Sequence, residues 1–332
     1  MCLNSNYRKE DKIRKVIKDT MKTIQLSNPV PIRSLKRKHN INDYTLVRTC
    51  IGYNDEVYFL FSGNDSKRIG EKNSNTQSNS KYMVIHAIVD WSEEELTQDE
   101  CFDLGVHKTN HYLIQPIDDN ILLLGARIGV LKNGSYENNA FIINTRGEIL
   151  NAFCFGDGVE DCIVTKDSKI ITSYFDEGVF ADASSGEAAL GNAGLVVWDI
   201  TGQRIWQNEK YAIYDCYAIN IDEQENLWFY YYDDFNLVQT DFRKDLIYHP
   251  EISGMNSFLL TKGNQILCDG GYNKHGQFCK MDILYDRLEN MEIVNMEYNA
   301  QILLLKNYAF RSSKAIFVDN RDNLYFKDIQ YI

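Results

Sequence analysis

A chain of 332 residues with 44% hydrophobic and 25% charged residues can bury a large core, and length alone permits one repeat-built domain or two ordinary ones. No stretch reaches the roughly 18 apolar residues of a membrane-spanning helix, and Arg8, Lys9, Lys12, Arg14 and Lys15 interrupt any apolar leader, so a soluble, cytoplasmic protein is expected. The net charge of −12 is unevenly spread, with eleven Lys/Arg against three acids in residues 1–40 and 24 against 44 in the remainder; so acidic a body repels phosphate backbones, and nucleic acid is not an expected partner.

Residues 1–27 read as a basic amphipathic arm. Ile13, Val16, Ile17 and Ile24, with Met21 between the last two, approximate one face of a helix whose other positions are mostly charged. Such an arm packs on its own acidic body or contacts an anionic membrane surface or an acidic partner. Asn28-Pro29-Val30-Pro31 stops the helix, and residues 28–332 form the main domain.

From about residue 43 the pattern is β. Short apolar runs are joined by Asn/Asp/Gly turns in Tyr44 to Phe61, His111 to Leu124, Cys162 to Tyr174, Ala218 to Phe229, Phe258 to Cys268 and Ala315 to Phe326, giving six copies of a hairpin. The fourth and sixth match closely: Ala218-Ile-Asn-Ile-Asp-Glu-Gln-Glu-Asn-Leu-Trp-Phe229 and Ala315-Ile-Phe-Val-Asp-Asn-Arg-Asp-Asn-Leu-Tyr-Phe326 share Ala, Ile, Asp, Asn, Leu and Phe in register, 97 residues apart. Two repeats of roughly 48 residues fit the period of propeller blades. A second strand pair follows most copies, as in Ala140 to Leu150, Gly194 to Trp206 and Phe235 to Ile247, with Met83 to Leu96 and Phe278 to Ile293 as weaker versions.

Two hairpins make a four-stranded sheet, and radial stacking of six such sheets covers both their faces and their edges. The expected fold is therefore an all-β, six-bladed β-propeller with a short N-terminal helical arm. The last copy ends at Ile332 with only its inner hairpin complete, so Thr23 to Leu26 or Val30 to Leu35 should supply the missing outer strands and join the two ends of the chain.

In such a ring the starts of the inner strands and the loops after the second strands share one face. That face should carry Glu160, Asp161, Asp215, Asn110, His111, Asn256, Ser312 and Ser313 from strand starts, and Arg127, Tyr174, Asp176, Glu177, Tyr230, Asp233, Asp234, Asp269 and His275 from loops. The long loops, Ser62 to Lys81, Arg127 to Asn139 and Tyr174 to Gly194, lie on the same side, where binding residues concentrate. Glu160, Asp161 and Asp215 are the candidate ligands for calcium, which takes six to eight oxygens; two of these carboxylates could instead serve as acid and base.

Other motifs carry less. Gly156-Asp-Gly158 reads as a tight turn rather than a phosphate loop; His107 and His111 have metal-like separation but lie at a β run; His275 sits in a Gly-rich loop. The run Trp228-Phe-Tyr-Tyr-Tyr232 is expected to alternate between core and channel. The eight cysteines, Cys2, Cys50, Cys101, Cys154, Cys162, Cys216, Cys268 and Cys279, include no CxxC pair and read as reduced core thiols.

Gly156-Asp-Gly-Val-Glu-Asp161, Ser173-Tyr-Phe-Asp-Glu-Gly-Val-Phe180 and Gly194-Leu-Val through Asp215-Cys-Tyr-Ala-Ile219 resemble a bacterial β-propeller-like family of no settled activity, over roughly residues 153 to 235. In repeat period the chain is also similar to NHL-type and gluconolactonase-like six-bladed propellers, a likeness of architecture. The reading that follows is a propeller binding a protein partner or small ligand on its acidic, long-loop face; the alternative is a calcium-dependent hydrolase or lactonase-like enzyme with its site at the channel mouth.

Overall fold

The computed structural model describes residues 22–63, 79–181, 186 and 189–332. The strands are β1 (Lys22–Gln25) and β2 (Val30–Pro31), then, after helix α1 (Ile32–Lys38), β3 (Thr45–Ile51), β4 (Val57–Ser62), β5 (Ser80–Asp90) and β6 (Glu95–His107) of the first blade. The second blade holds β7 (Leu113–Ile117), β8 (Asn120–Leu124), β9 (Ala140–Ile143) and β10 (Ile149–Phe153); the third, β11 (Val159–Val164), β12 (Ile170–Tyr174), helix α2 (Asp176–Val179), β13 (Leu195–Trp198) and β14 (Arg204–Gln207). In the fourth are β15 (Asp215–Ile221), β16 (Leu227–Tyr232), β17 (Asn236–Thr240) and β18 (Asp245–Tyr248). The fifth has β19 (Phe258–Leu260), β20 (Gln265–Asp269), β21 (Phe278–Leu284), β22 (Arg287–Tyr298) and the short β23 (Gln301–Ile302), and the sixth β24 (Leu305–Arg311), β25 (Lys314–Asp319) and β26 (Asn323–Asp328). Each blade is an antiparallel meander, and β3, β7, β11, β15, β19 and β24 pack on one another in turn until β24 meets β3, closing a six-bladed propeller.

The middle strands are apolar on both faces because each blade is sandwiched between two others. In β8, Ile121 and Leu123 pack towards the first blade while Leu122 and Leu124 pack towards the third. The aromatic run of β16 behaves likewise: Leu227, Phe229 and Tyr231 face the third blade, Trp228 and Tyr230 the fifth. It therefore alternates between two blade interfaces rather than between core and channel. Six apolar clusters, one at each blade junction, make up the core.

The segment before β3 closes the ring. β2 pairs with β26 as the outer strand of the sixth blade, Val30 opposite Leu324, and β1 adds in parallel to β22 of the fifth. Ile24 is thus a buried strand residue rather than part of a helical face, and the rest of the expected arm helix lies outside the described residues. After Pro31 the chain turns helical, not extended: Ile32 and Leu35 of α1 fill the junction between the sixth and first blades.

The 97-residue match proves to be a turn, not a blade register. Asp222 Oδ1 accepts the N–H groups of Gln224 and Asn226 while Oδ2 takes Asn226 Nδ2 and Trp228 Nε1; Asp319 does the same with Arg321, Asn323 and Tyr325. Glu225 and Asp322 sit at the same left-handed turn position, φ 62° and 63°. The first turn joins strands one and two of its blade, the second joins strands two and three. The sixth blade's inner strand is therefore β24, and Ser312 and Ser313 form the β24–β25 turn at the end of the ring opposite the strand starts.

Candidate functional site at the channel mouth

Inner strands have no further neighbour, so they line a central channel of about 500 Å³. Four of them, β3, β11, β15 and β24, carry a register shift at the end where they begin. Bulges at such places re-aim side chains, and here they fall beside Arg48, Asp161, Asp215 and Asn307. Arg48 Nη2 reaches Asp161 Oδ1 at 3.0 Å, from the first blade to the third, while its Nη1 donates to Tyr112 Oη at 3.2 Å. Asp161 also accepts the Cys162 N–H at 2.9 Å.

Above this pair a second cavity of about 320 Å³ opens. Its wall brings together the carboxylates of Glu160, Asp176, Glu177 and Asp215 with the rings of Phe175, Tyr217 and Tyr272, and Glu160, Tyr217, Asn256 and His275 are common to cavity and channel. Tyr217 and Tyr272 share a short hydroxyl contact, and burial followed by that contact raises the Tyr217 pKa. Among the described residues no group of three or more His, Cys, Asp or Glu side chains is placed so as to hold a metal ion.

The loop that carries two of these acids is fixed by backbone contact. Phe175 N donates to Gly158 O at 2.9 Å, and Gly178 of α2 lies directly against Gly158, whose φ is +73°. Arg127 pairs with Asp157 at 2.9 Å and with Glu177, and stacks over Phe175. The Gly156 to Asp161 and Ser173 to Phe180 motifs are thus the two halves of one interlocked loop.

Not every expected residue reaches the cavity. Arg127 acts behind it, holding Glu177. Tyr174 is wholly buried, its hydroxyl on Phe155 O at 2.6 Å, and Asp233 is exposed at the end of β16 without lining either space. Loop 62–81 falls largely, and loop 174–194 partly, outside the described residues.

His111 is also core, with both ring nitrogens unpartnered among Tyr82, His107 and Phe141. Burial, and then His107, holds its imidazole well below the usual value of 6.5. The unfolded chain therefore binds a proton near pH 6.5 that the folded chain refuses, so this stability is complete above that pH and is lost as pH falls below it. His111→Phe should flatten the melting-temperature profile between about pH 6.5 and 4.5, where wild type loses up to ~1.4 kcal/mol per pH unit; equal slopes would refute the assignment.

The strongest geometry at the mouth joins one short loop of the fifth blade to the inner strand of the sixth. Asp269, fully buried, accepts Gly271 N at 2.9 Å, Gly276 N at 3.0 Å, Tyr308 Oη at 2.7 Å and His275 Nδ1 at 2.8 Å. A carboxylate oxygen accepts, so His275 donates to it through Nδ1, and the residue lines both the cavity and the channel. Burial and then Asp269 push the Tyr308 phenol up. The available sequence signal was Asp269 followed by glycines at 270, 271 and 276, a loop able to fold back on its own first residue.

All seven described cysteines are free, and burial raises the thiols of Cys162, Cys216 and Cys268 well above normal, as expected of inert core residues; Cys2 lies outside the described residues. No described helix is long and apolar enough to cross a membrane.

Fold and mouth together define a six-bladed β-propeller with an acidic, aromatic-walled entrance to its channel. No family model and no curated protein matches the sequence. Solved structures similar to it include a chain in the crystal structure of the mitotic checkpoint complex, 10% identical, covering 86% of this chain and 91% of that one, with a TM-score of 0.48. Virginiamycin B lyase from Staphylococcus aureus is 9% identical over 90% of this chain and 97% of that one, TM-score 0.46; Hsv2 of Kluyvelomyces marxianus is 8% identical over 86% and 77%, TM-score 0.46. These likenesses carry no argument about activity or ligand.

Proposed function

We propose that this propeller binds a protein partner by receiving a lysine or arginine side chain of that partner in the acidic mouth. What supports the reading most is the single cavity in which Glu160, Asp176, Glu177 and Asp215 meet three aromatic rings. Carboxylates attract and orient a cation, and ring faces favour the same charge once water is displaced. Asp161 lines the channel and not this cavity, and Glu177 is paired with Arg127, so Glu160, Asp176 and Asp215 are the acids of this role, and the expected calcium set is the less favoured use of the mouth. An oligolysine peptide titrated calorimetrically should bind, with affinity falling as salt rises. Glu160→Gln with Asp215→Asn should weaken it at least tenfold; unchanged binding would defeat the reading.

The Asp269–His275 pair supports a second reading, proton transfer in a hydrolase- or lactonase-like reaction, with His275 Nε2 as base and Asp269 fixing its tautomer. A screen of ester and lactone substrates should then give turnover that rises with the deprotonation of one group and is lost in His275→Gln. Turnover equal in wild type and variant would remove His275 from any such step.

A further inference from the structure

Polar side chains take up many of the backbone groups that the inner strands turn towards the axis. Gln115 Nε2 donates to Cys162 O at 2.8 Å, and Asn220 Nδ2 to Phe258 O at 2.7 Å. Arg311, the last residue of β24, differs because it brings a permanent charge into the channel. It is 6% exposed and lines the channel wall with Arg48, Thr49 and Cys50.

A guanidinium has five N–H donors. Among the described residues, that of Arg311 makes one hydrogen bond, from Nη2 across to Val164 O at 2.9 Å, and enters no ion pair. Glu225, Glu56 and Asp55 act on it from greater distance, but each is otherwise engaged: Glu225 by Lys166 at 3.6 Å, Asp55 by Lys314 at 3.2 Å, Glu56 by the Asn54 N–H at 2.9 Å. Arg48 and Lys306, which also line the channel, already hold Asp161 and Asp322. Thr49, 1% exposed on the same wall, has a hydroxyl with no partner.

Burying a charge is costly unless it is paired. The directions agree, since burial pulls the Arg311 guanidinium below its ordinary value. An oxyanion would supply the missing charge and several acceptors in the planar geometry a guanidinium matches. We propose that the central channel binds a small oxyanion, the carboxylate or phosphate group of a compact ligand, with Arg311 as its main donor and Thr49 as a second. A channel of about 500 Å³ is in the range of small-molecule sites. The inference does not depend on the acidic mouth, which selects for the opposite charge.

The test titrates the full chain with sodium phosphate and with sodium succinate at constant ionic strength, against sodium chloride, by calorimetry and by thermal melting. A ligand that binds only the folded state raises the melting temperature in a saturable way. Wild type should saturate with phosphate, succinate or both; phosphate alone assigns a phosphorylated ligand, succinate alone a carboxylate, and both a shared oxyanion site. Arg311→Leu should weaken binding at least tenfold, Thr49→Val several-fold, and Arg311→Lys should fall between wild type and the leucine variant. If Arg311→Leu fails to fold, the lysine and valine variants carry the comparison. No saturable response in wild type, or equal affinity in all variants, would leave Arg311 as a strap between blades and overturn the proposal.

Discussion

A chain truncated to begin at Ile32 should lose cooperative unfolding or melt well below wild type, while one truncated to begin at Lys22 isolates the contribution of β1 and β2. Ile24 and Leu26 are 7% and 6% exposed, and burying such side chains contributes about 2 kcal/mol each. The deletion also strips the parallel ladder from β22, the Leu26 N to Glu297 O bond of 2.8 Å and the edge cover of β26. Together these come to roughly 5 kcal/mol or more, against a typical net stability of about 5–15 kcal/mol. Without β2 the sixth blade keeps three strands and an open edge, which also favours aggregation. Differential scanning calorimetry of the two truncations checks this; identical transitions would mean that the ring is closed by the β24–β3 junction alone.

Gly158→Ala should cost about 3 kcal/mol or more and abolish cation binding at the mouth together. The residue has φ +73°, and an added Cβ would come within 2.4 Å of Gly178 N and 2.5 Å of its Cα. The first effect costs about 1 kcal/mol; the second cannot be relieved by a rotamer change because the obstacle is backbone, so α2 must move. With it would go Asp176 and Glu177, and the Arg127 contacts to Asp157 and Glu177. A melting-temperature drop of roughly 5–10 °C, with loss of oligolysine binding in the protein that remains folded, is the expected pair of results. A variant as stable as wild type would show that the two glycines are not in contact in solution.

Strands, turns and their sixfold count were legible because their signals are local. Asp222 and Asp319 choose their turns with atoms no more than six residues away, and the both-face apolar pattern of β8 and β16 needs only the next residue. The same locality hid the offset of the last blade: one turn serves equally between first and second strands or second and third, and nothing within ten residues of Asp319 says which. Placement of Glu160, Asp176, Glu177 and Asp215 at one entrance followed from ring geometry and could be anticipated. The fate of His111 could not, since a residue just before an inner strand enters the core or the mouth according to the packing of Tyr82 and Phe141 from two different blades.

By itself, then, the amino-acid order determined which segments pair as hairpins, how many such units there are, and that acids cluster where inner strands begin. Only the tertiary structure decided that Asp269 holds His275 and Tyr308, that Gly158 meets Gly178, and that Arg311 crosses the channel towards Val164 without a carboxylate. The physical reason is that hydrogen-bonded turns and strand alternation are settled among near neighbours, whereas burial and charge pairing depend on which distant groups the closing ring places within about 3 Å.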